Sequence, residues 1–180
     1  MSYAIVIFPD EGVSDWVAVN RRGLARNFPV HVTIKTRFDV AVDASVERLE
    51  GVVRGVFPCE PFRAVLDGPF YIQNRIRWIE CRPGNEGFDM IVGLHRACWG
   101  ALSESDCVPV TGHVGAFEGN NYRPHITLDW ENERIHVPSP SVVEERLKVS
   151  ATFVAWAILQ YSNDPLRRGV RVMKTREFSV

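Results

Sequence analysis

Two short runs in this sequence pair a histidine with a threonine two places later: Pro29-Val30-His31-Val32-Thr33-Ile34-Lys35 and Arg123-Pro124-His125-Ile126-Thr127-Leu128-Asp129. An imidazole with its ordinary pKa of about 6.5 is a general base when neutral and a general acid when protonated. A threonine hydroxyl donates a hydrogen bond to an oxygen on which negative charge builds up. Two of each, brought to one place, suit an in-line displacement at an anionic centre such as phosphorus. One histidine would activate water and the other would protonate the leaving oxygen, which predicts a bell-shaped pH profile. The two motifs are too alike to say which histidine does which.

Residues two apart on a strand share a face. His31, Thr33 and Lys35 are therefore expected on one side, with Val32 and Ile34 on the other. Likewise Arg123, His125, Thr127 and Asp129 oppose Ile126 and Leu128. A polar face on a core strand is costly unless it lines a wet cleft. The other histidines lack the pattern, since Ala97, Gly115 and Pro138 stand two places after His95, His113 and His136. His95 is expected on a helix and His113 in a Gly-rich loop, both in structural roles. Lys35 and Arg123 are candidate substrate contacts through their charge. Trp78 and Tyr122 are candidates for stacking on a base, a contact that contributes about 1–3 kcal/mol. Trp16, Trp99 and Trp156 sit among apolar neighbours and read as core.

The elements that must position these residues alternate along the chain. Strand character covers Tyr3 to Phe8, Pro29 to Phe38, Phe62 to Ile72 (interrupted by an Asp67-Gly68 turn signal) and Arg75 to Cys81. Helical spacing covers Glu11 to Phe28 and Asp43 to Val56. After the Pro83-Gly84-Asn85 loop the order repeats: a helix over Phe88 to Leu102, a Gly-rich stretch with an irregular strand, and a strand over Arg123 to Trp130. A helix over Ser141 to Lys148 follows, then strands over Thr152 to Tyr161 and Gly169 to Phe178 around an Asn163-Asp164-Pro165 turn. One globular unit of two similar lobes, spanning residues 1–180, is expected.

With 180 residues and 46% hydrophobic content, the chain can bury one sizeable core. A net charge of −1 gives no broad basic face for long duplex nucleic acid. A phosphorylated small molecule or a nucleic-acid end needs only local positive charge. The start, MSYAIVIFPDEG, lacks the marks of a secretion signal, and no apolar run approaches membrane-spanning length. A cytoplasmic location without membrane association is expected. Cys59, Cys81, Cys98 and Cys107 form no metal-type spacing and read as buried thiols. No carboxylate cluster around Asp129 suggests a metal.

Taken with the repeated strand and helix order, His31-Val32-Thr33 and the Arg123-Pro124-His125-Ile126-Thr127-Leu128 run resemble the paired signature of the two-histidine phosphoesterase superfamily. Its members include 2′-5′ RNA ligase-like proteins and RNA cyclic phosphodiesterases. The resemblance covers nearly the whole chain. It implies an α+β fold: a bilobal, duplicated strand-helix-strand architecture with pseudo-twofold symmetry and a central cleft between two antiparallel sheets. It also implies metal-independent and cofactor-free hydrolysis of a 2′,3′-cyclic phosphate, or of a related 2′-5′ or cyclic nucleotide diester, with reversible ligation conceivable. The substrate would be a nucleotide or an RNA end, with His31 and His125 catalytic and Thr33 and Thr127 on the phosphate. Relatives of the RNA-ligase type often follow the first motif with an aromatic and a glycine. This chain has Lys35-Thr36-Arg37, so no single branch is singled out. The competing expectations are a catalytically idle module that binds nucleotides or RNA ends, and a metal-dependent hydrolase.

Overall fold

The computed structural model describes residues 2–21, 29–40, 45–58, 60–72, 76–103, 107–109, 119–130, 147–161 and 170–178. Among these residues, eight strands carry the architecture: β1 (Ser2–Pro9), β2 (Val32–Val40), β3 (Phe62–Ile72), β4 (Ile76–Glu80), β5 (Cys107–Pro109), β6 (His125–Trp130), β7 (Leu147–Tyr161) and β8 (Val170–Glu177). Every pairing among them is antiparallel, in the order β1-β2-β6-β4-β3-β7-β8, with β5 beside β2. The class is α+β, as expected. The two expected sheets are joined at both ends into one hydrogen-bonded system. At one end Val32 of β2 pairs with Ile126 of β6. At the other, β7 pairs with β3 through Leu147 to Phe153 and with β1 through Phe153 to Tyr161.

Three α-helices, α1 (Glu11–Asn20), α2 (Val46–Arg54) and α3 (Phe88–Ser103), and a single 3-10 turn (Gly119–Asn121) complete the described chain. Their apolar stripes face the sheet, with Val13 and Val17 of α1, Leu49 and Val53 of α2, and Ile91, Leu94, Cys98 and Leu102 of α3 buried. The aliphatic residues between the motif positions, Val32, Ile34, Ile126 and Leu128, are fully buried in the same core. A smaller apolar group on the other side of the sheet consists of Val6, Ala157 and Leu159.

Asp10 fixes the start of α1. One carboxylate oxygen accepts from Val13 N at 3.0 Å, capping the helix, and the other accepts from Thr152 N at 2.8 Å, docking it on β7. The far end is fixed by Arg77 of β4, which donates to the Asn20 carbonyl at 2.6 Å. The segment expected to turn at Asp67-Gly68 remains in β3 and forms a bulge instead, because Asp67 pairs with Glu80 and Phe70 with Trp78. The expected helix over Ser141 to Lys148 lies outside the described residues as far as residue 146. Leu147 and Lys148 open strand β7, a correction at that boundary. The continuation of the first helix over residues 22–28, the turn at Asn163-Asp164-Pro165, Cys59, His113 and His136 also lie outside them. Among the described residues, no helix is long and apolar enough to cross a membrane.

Gly87, at the approach to α3, has φ +80°. A Cβ there would come within 2.5 Å of the Ala64 Cβ and of the Arg63 carbonyl oxygen. Gly87→Ala is therefore expected to combine backbone strain with overpacking and to lower unfolding stability by about 2–3 kcal/mol. Urea denaturation checks this; a loss below about 0.5 kcal/mol would show that α3 tolerates displacement from β3.

Candidate active site

The site begins with one register. Because Val32 pairs with Ile126 in antiparallel sense, Thr33 stands across from His125 and His31 across from Thr127. On the next strand, β4 places Glu80 beside His125 and Trp78 beside Thr127. Two rows therefore cross the sheet: Thr33, His125, Glu80 in one and His31, Thr127, Trp78 in the other. Directly opposed side chains on a sheet lie about 5 Å apart and diagonal ones about 7–8 Å apart at Cβ. Each histidine thus has a threonine opposite it, and the two histidines sit on a diagonal. All four motif side chains are half-buried on the face opposite the aliphatic core residues.

Each imidazole is held by its own strand. The Nδ1–H of His31 donates to the Pro29 carbonyl at 2.8 Å, and that of His125 to the Arg123 carbonyl at 2.7 Å. A carbonyl only accepts, so Nδ1 carries a proton in both rings and Nε2 is the atom left to exchange one. Burial holds the pKa of His31 down at about 4, and the nearby charges of His125 and Arg21 push the same way against the Pro29 hydrogen bond. Burial also lowers the pKa of His125, with Arg123 adding to the effect, while the Arg123 carbonyl and the Glu80 carboxylate oppose it.

Of the four expected substrate contacts, only Arg123 lies open. Its side chain is 61% exposed, and its Nη1 stands 4.0 Å from Glu80 Oε2. Lys35 does not share the face of His31 and Thr33, which corrects the alternation expected from sequence. The cause is a bulge: Val6 pairs with Thr33 but Ile5 with Lys35, leaving Ile34 as an extra residue on β2. Lys35 is turned to the helix side, buried, with its ammonium 4.2 Å from the ring centre of Trp99 on α3. Trp78 is also buried; its indole N–H donates to Glu80 Oε2 at 3.1 Å and its ring lies 5.4 Å from that of His125. It backs the histidine and presents no open face to a base. Tyr122 is likewise buried, stacked on His95 at 3.9 Å, and its hydroxyl donates to the Thr33 carbonyl at 2.8 Å. That bond ties the segment leading into the second motif to the backbone of the first.

His95, expected on a helix in a structural role, lies on α3 and supports the same bulge. Its Nδ1–H donates to the Ile34 carbonyl at 2.7 Å while its Nε2 accepts from Gly119 N at 3.2 Å. The motif reading misses three charged groups: Glu80, Arg77 and Arg21. Arg77 and Asp129 are buried and paired at 3.1 Å. Arg21 follows the end of α1, where its Nη2 lies 3.5 Å from the Thr127 carbonyl. A signal for the first two is present in Ile76-Arg77-Trp78-Ile79-Glu80. Two charges inside an apolar central strand are rarely accommodated without partners.

Among the described residues, no three His, Cys, Asp or Glu side chains converge on a point that would hold a metal ion. Cys81 and Cys98 are buried thiols whose pKa burial pushes up to about 12.

The fold is shared with solved phosphoesterase and LigT structures. Over 99% of this chain and 98% of the other, it superposes on E. coli LigT with a TM-score of 0.63 and on TT0787 of Thermus thermophilus with 0.62, each at 16% identity. A crystal structure described simply as that of a phosphoesterase matches with a TM-score of 0.58, 16% identity and 99% coverage of both chains. LigT has also been crystallised with phosphate, 3′-AMP, ATP and NADP⁺. Neither a protein-family model nor a curated protein sequence matches this chain. The α+β fold expected from the motifs is thus shared with these structures across nearly the whole chain.

The depressed pKa of His31 makes a direct expectation. In the protein without ligand, long-range ¹H–¹⁵N NMR should show His31 neutral, with the proton on Nδ1, from pH 8 down toward about pH 4. A midpoint near the ordinary value of about 6.5 would mean that the ring is solvated and feels neither neighbouring charge.

Proposed function

We propose that this chain is a phosphodiesterase that opens 2′,3′-cyclic phosphates on nucleotides or RNA ends without a metal ion, acting as one two-lobed unit. The observation that carries the reading is the β2–β6 register, which sets a histidine opposite a threonine twice over on one face. A phosphate seated among the four would have an Nε2 toward it from each end of the diagonal. Two hydroxyls would lie toward its non-bridging oxygens, where charge accumulates during displacement. The half-buried setting strengthens those hydrogen bonds relative to water.

The nucleotide part of the proposal draws on the shared fold, since LigT has been crystallised with 3′-AMP and ATP. Arg123, exposed at the rim, is the group best placed among the expected contacts to meet a substrate phosphate or base. Trp78 and Tyr122 enter as supports of the motif backbone and rings, and Lys35 as a core cation. Hydrolysis is the direction favoured in water; reversible ligation of 2′-5′ ends would use the same groups.

His31→Ala and His125→Ala should each lower turnover of a 2′,3′-cyclic nucleotide by about 10²–10⁴-fold. Thr33→Ala and Thr127→Ala should cost about 10–10³-fold, the loss of one donor to the developing charge. Assays run in EDTA against a panel of cyclic mononucleotides, 2′-5′ oligonucleotides and cyclic-ended RNA test both class and substrate. Binding without conversion by the parent protein would favour an idle recognition module. Loss of activity in chelator with rescue by Zn²⁺ or Mn²⁺ would favour a metallohydrolase.

A further inference from the structure

The two motifs are alike in sequence, but the charges around them are not. His125 faces Glu80 across the β4–β6 ladder. That carboxylate is nearly buried and anchored on one side by the Trp78 indole N–H at 3.1 Å. Arg82 approaches its other oxygen at 3.7 Å, and Arg123 stands at 4.0 Å. On its remaining side His125 opposes the uncharged Thr33 of β2. His31 opposes the uncharged Thr127 of β6, whose carbonyl lies 3.5 Å from Arg21 Nη2, and the positive charges of Arg21 and His125 act against its protonation. Arg21 is brought there by the end of α1, which Arg77 holds down at the Asn20 carbonyl. Asp129, two places after Thr127, is paired with Arg77 at 3.1 Å and also favours the charged form of Arg21.

We propose that Glu80 and Arg21 break the symmetry of the site, so that His31 takes the proton from water and His125 gives its own to the leaving oxygen. This rests on the phosphodiesterase reading above. In the ring-opening step, the water oxygen forms a bond to phosphorus as the bond from phosphorus to one ribose oxygen breaks. The proton of the water goes to Nε2 of His31, and the proton on Nε2 of His125 goes to the departing ribose oxygen. The product is a monoester with a free neighbouring hydroxyl. The pair resets by releasing one proton from His31 to solvent and taking one up on His125. Glu80 and Arg21 are positioning residues here: each acts on a histidine and neither on the reacting atoms.

The sign of each effect follows from Coulomb attraction. A carboxylate beside His125 favours its protonated form, and a guanidinium near His31 disfavours protonation there. The lower limb of the pH profile of kcat/KM then reports His31 losing its proton, and the upper limb reports His125 losing its own.

The test is that profile for the parent, Glu80→Gln and Arg21→Gln. Glu80→Gln should move the upper limb to lower pH by on the order of 0.5–1 unit and leave the lower limb in place. Arg21→Gln should move the lower limb to higher pH and leave the upper limb alone. Glu80→Asp, which keeps the charge, should restore most of the upper limb. Reversed limbs, or two variants whose limbs both stay fixed, would overturn the assignment. A direct measurement covers the case in which the Gln variants do not fold. In the parent protein saturated with inorganic phosphate, ¹⁵N-imidazole NMR should show His125 taking up a proton at higher pH than His31. The opposite order sinks the proposal. If the parent turns over no cyclic phosphate at any pH, the phosphodiesterase reading fails, while the NMR order still reports on the charge asymmetry by itself.

Discussion

One strand pairing holds the candidate site together: Val32 of β2 against Ile126 of β6. The strand period is two, so a slip of one residue would turn a histidine and a threonine toward the helices and bring aliphatic residues into their place. The register is held from both flanks. Cys81 N donates to the Pro124 carbonyl at 2.8 Å, fixing β6 against β4 just ahead of His125. Tyr122 spans to the Thr33 carbonyl, and His95 to that of Ile34, fixing β2 from the side of α3. Burial of Val32, Ile34, Ile126 and Leu128 makes any slip expensive, since each fully buried aliphatic side chain is worth about 1.5–3 kcal/mol of transfer free energy. The polar face is thus specified largely by what happens on the other face.

The second structural condition is electrostatic. Arg77 and Asp129 sit in the sheet centre with almost no exposure, a placement made tolerable by the pairing of the guanidinium with the Asp129 carboxylate and the Asn20 carbonyl. Removing either member of the ion pair would leave a buried charge unmatched, at a cost of about 3–5 kcal/mol. The same contact closes the last turn of α1 onto β4 and so sets where Arg21 emerges. Core, helix end and site are therefore one connected arrangement, although Arg21 and Asp129 lie far apart in the chain.

Much of this could be read from the residues alone. The alternation in both motif strands is strong because each interposes fully apolar side chains between polar ones, and period-two patterns of that kind are hard to produce by other means. The stripe along Ile91, Leu94, Cys98 and Leu102 likewise made α3 legible. What failed to show was non-local. Lys35 obeys the alternation on paper, but a single inserted residue at Ile34 changes its side, and a bulge has no compositional mark when its residues are ordinary strand formers. Trp78 and Tyr122 look like free aromatic faces because sequence does not reveal that an indole N–H has a buried carboxylate to meet, or a phenol a carbonyl. Glu80 and Arg21 lie outside both motifs, and only the β4–β6 ladder and the course of α1 bring them to the histidines.

The bulge at Ile34 also decides which charges share the motif face. Had β2 continued without it, the Lys35 ammonium would have stood on the face of Thr33 and His125. A third cation there would have opposed protonation of both rings, and the carboxylate of Glu80 would have been drawn into neutralising it. With Lys35 instead covered by Trp99, the influence of Glu80 on His125 is opposed by Arg123, whose side chain is largely solvated, while Arg82 stands 3.7 Å from the carboxylate. Each pKa unit by which the two imidazoles are separated corresponds to about 1.4 kcal/mol of difference between their charged forms. In the proposed mechanism, turning this one lysine away from the motif face leaves the Glu80 carboxylate to set the His125 imidazole, the proposed acid, apart from that of His31, the proposed base.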